Sequence, residues 1–307
     1  MALPIDEVQL NFNAGTLNAL NVILGLIMFG VALDLKIGDF KAALKRPRAF
    51  GVGVLVQFVL LPAVAVAVAW AIDAPAGIAL GMILVASCPG GNVSNFITHH
   101  ARGSTALSVC MTAVSTSAAI VMTPFNVSFW GNMRPETAEI VSRFDLDPFQ
   151  MLGTVAVLLG VPLVLGMGLA SWRPEWAERL KKPFKIGSLL FFALLVVLAF
   201  RSNFQFFLDY VGDVFWPVLL LNACALGLGY GAARLTRLGE AEARAVSIEV
   251  GIQNSGLGLV LIFGFFGGLG GMAVVAAWWG IWHIIAGMSL ASFWRARPPH
   301  EPDTSTT

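Results

Sequence analysis

One carboxylate stands inside a stretch otherwise suited to lipid. Glu249 opens the run Glu249-Val250-Gly251-Ile252-Gln253-Asn254-Ser255-Gly256, and a second polar interruption, Ser87-Cys88-Pro89-Gly90-Gly91-Asn92-Val93-Ser94-Asn95, lies in the first half of the chain. An unpaired charge at membrane depth is costly and calls for a cation or polar partners. A sodium ion would offset that cost if neutral oxygens completed its shell. Candidates are Ser94 and Asn95 at the first interruption, Ser108 and Thr112 at i, i+4 on one helix face, Gln253 one turn beyond Glu249, and Gln57 in the apolar run Val54-Leu55-Val56-Gln57-Phe58-Val59. Taken singly, Ser108 or Thr112 also reads as ordinary helix packing or bonding back to a carbonyl. A proton carried on Glu249 is the other chemistry these residues allow, and spacing does not separate it from sodium.

The elements that must position these groups follow from composition. With 57% apolar and 12% charged residues and a mean hydropathy of +0.78, the chain reads as an all-α polytopic membrane protein. A span needs roughly 20 apolar residues, which gives nine, at about 16–35, 49–72, 77–98, 105–127, 149–171, 185–202, 213–233, 243–266 and 270–293. The connecting segments that follow the odd-numbered spans hold all but Arg134, Arg143 and Arg201 of the 19 basic residues. The positive-inside rule then puts the N-terminus outside and the C-terminus in the cytoplasm, with the chain in the cell's inner (plasma) membrane. The first residues are acidic and lack a signal peptide's basic start, so the first span is expected to be retained. A net charge of +1 sorted by membrane side offers no nucleic-acid patch.

No soluble domain or long linker interrupts the spans, so residues 1–307 read as one membrane domain, with 298–307 a disordered polar tail. The interrupted third and eighth spans each precede the last span of a half, as in an inverted repeat, the first repeat at 1–128 lacking its opening helix and the second at 147–294. Pro89 removes a donor, and Gly90-Gly91 in one break and Gly251, Gly256 and Gly258 in the other relax the backbone. Freed carbonyls can bind cations, and half-helix N-termini can face an anion. An organic anion is therefore expected near the crossing, against Asn92, Asn254 and His283. His283 also reads as a core histidine bonded to a neighbouring helix. His99 and His100 read as a solvated boundary, Asp34 beside Lys36 as interfacial, and Cys88, Cys110 and Cys224 as packing residues. There is no His-Glu-x-x-His, Walker loop or Gly-x-Ser-x-Gly, so no enzyme is expected. A carrier-like protein that binds or leaks passively is the other functional class, although a passive pore has no need of a carboxylate cage.

Over nearly its whole length the chain resembles the bile acid:sodium symporter family. The resemblance runs from Ile27-Met28-Phe29-Gly30-Val31-Ala32-Leu33 through Cys88-Pro89-Gly90-Gly91, Ser94-Asn95, Ala101-Arg102-Gly103, Ser115-Thr116 and Glu249 to Leu257, to Trp282-His283. It implies a panel domain of the first, fifth and sixth spans, a core of the rest with two discontinuous crossing helices, and alternating access between them. It implies one sodium site at Ser94, Asn95, Ser108, Thr112 and Glu249, and a second at Gln57, Glu249, Gln253 and the carbonyls of Val250 and Ile252. Set beside relatives with ten spans, the resemblance implies that this chain is without their opening helix. Asn92 and Ile284 depart from the family's pattern where substrate would bind, so the implied cargo is an organic anion such as a bile acid, pantoate or a keto acid.

Overall fold

The structure, a computed structural model, describes residues 14–45, 47–91, 93–184, 186–187, 190, 204–297 and 299. The sixth expected span and the tail fall almost wholly outside them. The described elements are helices: α1 (Ala14–Ala32), α2 (Ile37–Lys45), α3 (Pro47–Ala71), α4 (Ala76–Ser87), α5 (Val93–His100), α6 (Thr105–Gly131), α7 (Pro135–Arg143), α8 (Pro148–Trp172), α9 (174–184), α10 (Phe204–Leu235), α11 (Glu240–Gly251), α12 (Ser255–Phe265) and α13 (Gly270–Arg295). Five stretches, Pro47–Ala71, Thr105–Gly131, Pro148–Trp172, Leu208–Leu235 and Gly270–Arg295, are long and apolar enough to cross a membrane.

The third and eighth expected spans are each two short helices, α4 with α5 and α11 with α12. At 8 to 12 residues apiece none of the four can cross a bilayer alone. The seventh extends ahead of 213 to at least Phe204, because Asp209 and Asp213 depress the hydropathy of a helix that simply continues. Short helices α2 and α7 occupy connecting segments that hydropathy alone left blank.

Local chemistry explains the details. Asp147 accepts from the Phe149 N–H at 2.8 Å ahead of Pro148, fixing the start of α8. In α3 a π-turn at Val56–Leu60 precedes Pro62. Proline has no N–H for Phe58 O, and Asn126 Nδ2 of α6 takes its place at 2.8 Å. Helix α4 is buried from Gly77 to Ser87, enclosed by α3, α6 and α13. A Cβ on Gly271 would lie 2.9 Å from the Gly77 backbone, so glycine lets α13 meet α4 backbone to backbone. Helix α1 packs along α8 and against α12.

Two arginines that read as loop charges are in fact buried. Arg134 donates from Nη1 to Ala69 O and Ala74 O, each at 3.1 Å, satisfying the end of α3. Arg244 lies within α11. Asp34 pairs with Lys181 at 3.2 Å, joining the end of α1 to α9.

Candidate functional site

The chain crosses itself at its two interruptions. Cys88 leaves α4 extended (φ −75°, ψ 159°), as suits the residue before a proline. Ile252 leaves α11 extended as well (φ −108°, ψ 99°). The two segments pair antiparallel at Gly90 and Gln253. Gly91 N–H donates to Ile252 O at 2.6 Å, and Asn254 N–H to Pro89 O at 2.9 Å. Backbone groups released by breaking one helix thus satisfy those released by breaking the other, which makes irregular backbone tolerable at this depth.

Gly90, Gly91 and Gly251 act by allowing close approach and not by adopting unusual torsions, since none of them has positive φ. A Cβ on Gly90 would collide with the Glu249 carboxylate, and one on Gly91 would lie 3.1 Å from Gln253 O. This corrects the expectation that they loosen the chain.

Four carbonyls at the helix ends find side-chain donors. Thr123 Oγ1 donates to Ser87 O at 2.7 Å, Gln57 Nε2 to Cys88 O at 2.8 Å, Asn222 Nδ2 to Gly251 O at 2.7 Å and Gln253 Nε2 to Val250 O at 2.6 Å. Thr123 and Asn222 escaped the sequence reading. Asn222 carried a signal all the same, for it is an amide in the apolar run Leu219-Leu220-Leu221-Asn222, much as Gln57 is in its own.

Glu249 is fully buried. Its Oε2 accepts from Ser94 Oγ at 2.6 Å and from Ser108 Oγ at 3.2 Å, and its Oε1 accepts from Thr112 Oγ1 at 2.8 Å. Asn95 Oδ1 accepts from the same two hydroxyls, Ser108 at 2.8 Å and Thr112 at 3.2 Å. Of the residues grouped by the resemblance, Ser94, Ser108 and Thr112 therefore bond to the Glu249 carboxylate and Asn95 joins them through two of those hydroxyls, the set being supplied by α5, α6 and α11. The three hydroxyls have one proton each, and they face two carboxylate oxygens, Asn95 Oδ1 and, for Thr112, Ser108 O at 3.0 Å. Acceptors outnumber donors, which is the composition of a cation site or of a carboxyl that takes up a proton.

A second group adjoins the first. Gln57 and Gln253 exchange amide hydrogen bonds, Gln57 Nε2 to Gln253 Oε1 at 2.9 Å and Gln253 Nε2 to Gln57 Oε1 at 3.3 Å. Here the oxygens of Val250 and Ile252 already accept N–H groups. Glu249 borders both groups: with Gly53, Val54, Gln57, Met111 and Ser115 it lines a recess with about 10 Å³ of free space, room for one water-sized particle. No set of three or more His, Cys, Asp or Glu side chains gathers among the described residues, and Glu249 is the one carboxylate in the hydrogen bonds of the oxygen cluster.

Of the residues expected to meet substrate, Asn92 lies outside the described residues. Asn254 is half-buried, and its Oδ1 accepts the Leu257 N–H at 3.0 Å, capping α12. His283 is buried edge-on to Trp279, their ring centroids 6.5 Å apart. Its Nδ1 has no hydrogen-bond partner among the described residues. A Cβ on Gly280 would lie 2.8 Å from Ser255 Oγ, which places α13 against the start of α12 one turn before His283.

Residues 21–209 match the Sodium Bile acid symporter family, a region that contains Gln57, Ser94, Asn95, Ser108 and Thr112. The chain is 31% identical to an uncharacterized sodium-dependent transporter, YocS, of Bacillus subtilis, over 90% of this chain and 82% of that protein. It is 33% identical to a probable sodium/metabolite cotransporter of rice chloroplasts, BASS2, over 91% of this chain and 65% of the relative. With the human ileal sodium/bile acid cotransporter it shares 29% identity over 78% of this chain and 67% of the relative. Apolar membrane-length helices, crossing broken helices and these matches together establish that the chain belongs to the sodium bile acid symporter family, a family of sodium-dependent membrane transporters.

Proposed function

We propose that this protein is a secondary transporter that couples entry of sodium to import of a small or medium organic anion by alternating access. The observation that carries this reading is the buried Glu249 cage, a single carboxylate wrapped by the oxygens of Ser94, Asn95, Ser108 and Thr112. Sodium is cargo here. One ion would bind among these five residues, and a second among Gln57, Glu249, Gln253 and the carbonyls of Val250 and Ile252, where Gln253 Nε2 must first release Val250 O. The C-terminal, negative ends of α4 and α11 favour the cations, while the N-terminal, positive ends of α5 and α12 favour an anion. Asn92, Asn254 and His283 would meet that anion, and apolar neighbours such as Trp279 suit a hydrocarbon body.

The moving parts would be a panel that includes α1 and α8 and a core built on the two broken helices, related as halves of an inverted repeat. The charge bias supports a cytoplasmic C-terminus, and on this reading the membrane is the cell's inner membrane. Uptake by proteoliposomes tests the whole proposal. An inward sodium gradient should drive accumulation of at least one of taurocholate, pantoate and pyruvate. Accumulation driven by a pH gradient in sodium-free buffer would replace sodium with a proton on Glu249. Equal uptake with neither gradient would leave a passive carrier.

A further inference from the structure

The basic stretches that follow α1, α8 and α10 are each interleaved with carboxylates: Asp39 among Lys36–Lys45, Glu175 and Glu178 among Arg173–Lys182, and Glu240 and Glu242 before Arg244. The ends of α5 and α13 are different. They carry His99, His100, Arg102, Arg295 and Arg297, while no carboxylate occurs between Asp73 and Glu136 or between Glu249 and Glu301.

A buried guanidinium gathers these two helix ends into one place. Arg244 Nη1 donates to Ala101 O at 2.9 Å and Trp294 O at 3.1 Å, and its Nη2 to Arg297 O at 2.7 Å. Outside it His100 bridges the helices, its Nε2 lying 3.3 Å from Ser292 Oγ and its Nδ1 accepting from Arg295 Nη1 at 3.0 Å. Arg102, Arg295 and Arg297 are exposed and form no ion pair with a carboxylate among the described residues. A helix C-terminus welcomes a cation near its last carbonyls, but several of those carbonyls are already occupied by Arg244. Glu240 pairs with Arg244 itself at 2.9 Å, so among the described residues the exposed Arg102, Arg295 and Arg297 are left without a carboxylate partner.

Below them lie apolar side chains. Phe96, one turn before His100, is 61% exposed, and Phe293 is 49% exposed, with the Arg297 guanidinium 4.1 Å over its ring. Cationic groups at a helix end above exposed aromatic surface match the order of a phosphate headgroup above acyl chains. We propose that Arg102, Arg295 and Arg297, with Arg295 held in place by His100, bind the headgroup of an anionic phospholipid, whose chains lie against Phe96 and Phe293.

Native mass spectrometry of the full chain in detergent, with equimolar phosphatidylglycerol and phosphatidylcholine, tests this. The protein should retain phosphatidylglycerol over phosphatidylcholine by roughly tenfold. Arg102→Gln/Arg295→Gln/Arg297→Gln should bring that ratio to within about twofold of unity, and Arg173→Gln/Arg179→Gln/Lys182→Gln should leave it unchanged. Both triple variants should unfold at the temperature of the native protein. Four results would overturn the proposal. They are no preference in the native chain, equal loss in both triple variants, a large gain on neutralising Glu301 and Asp303, which would make the tail the occupant, and a raised KM for anion uptake by the first triple variant in phosphatidylcholine vesicles, which would assign the patch to the transported anion.

Discussion

Two polar clusters meet at Glu249 and are balanced in opposite ways. Around the carboxylate, hydroxyl groups share too few protons among too many oxygens. Around Gln57 and Gln253, amides supply a donor for each oxygen they face, and backbone N–H groups cover the rest. A cluster short of protons gains by taking up a cation. One already satisfied gains little until its hydrogen bonds are exchanged, and until then it holds the crossing together. The difference assigns ion affinity chiefly to the hydroxyl cluster and rigidity chiefly to the amide cluster.

Substitutions can break that contrast, beginning with the largest effect. Glu249→Gln keeps the shape and removes the charge, so sodium-driven uptake should fall by roughly 100-fold or more, as loss of charge-assisted contacts worth about 3 kcal/mol implies. Uptake within a few-fold of native would show that the hydroxyl cluster is not an ion site. Gln57→Leu strands Cys88 O and Gln253 Oε1, and should lower stability in sodium-free detergent by about 2–3 kcal/mol, read as a shift in thermal unfolding. If it raised the sodium concentration needed for half-maximal uptake and left stability intact, the division of labour would be reversed.

Smaller effects sharpen the same contrast. Asn222→Leu leaves Gly251 O without its donor and should cost about 1–2 kcal/mol of stability. Ser108→Ala should do the opposite, raising the half-saturating sodium concentration by roughly tenfold, or about 1.4 kcal/mol, at nearly unchanged unfolding temperature. Gly91→Ala brings a methyl to 3.1 Å from Gln253 O and should cost about 1 kcal/mol. An unfolding scan that cannot distinguish it from the native chain would mean that the crossing yields more easily than its hydrogen bonds suggest.

Much of this was legible in the residues. Long apolar runs announce membrane helices, and Pro89 with Gly90 and Gly91 announces a break, because both signals are local. Gln57 and Glu249 stood out as polar groups in apolar surroundings. The same logic should have found Asn222. Helices α2 and α7 were invisible to a search for apolar runs, and Arg134 and Arg244 were taken for loop charges because a buried arginine depends on carbonyls that only the folded chain brings near. The role of the glycines was misread for a related reason: the close approach of Gly90 to Glu249 is a contact between distant parts of the chain, and torsional freedom is all that a sequence displays.

Those long separations bear on how the protein is made. Glu249 lies 155, 141 and 137 residues after Ser94, Ser108 and Thr112, and Gln253 lies 196 after Gln57. At a synthesis rate of about 5–20 residues per second, roughly ten seconds separate the hydroxyl groups from their carboxylate on the ribosome. Helix α4, buried along nearly its whole length, is likewise made early, and its enclosure by α3 and α6 is completed only when α13, the last of the described helices, arrives. A nascent chain must therefore hold its most polar helix ends in the bilayer without their final partners, and a stall before Gly270 would leave α4 bare on the side that α13 covers, a surface for membrane quality control to recognise.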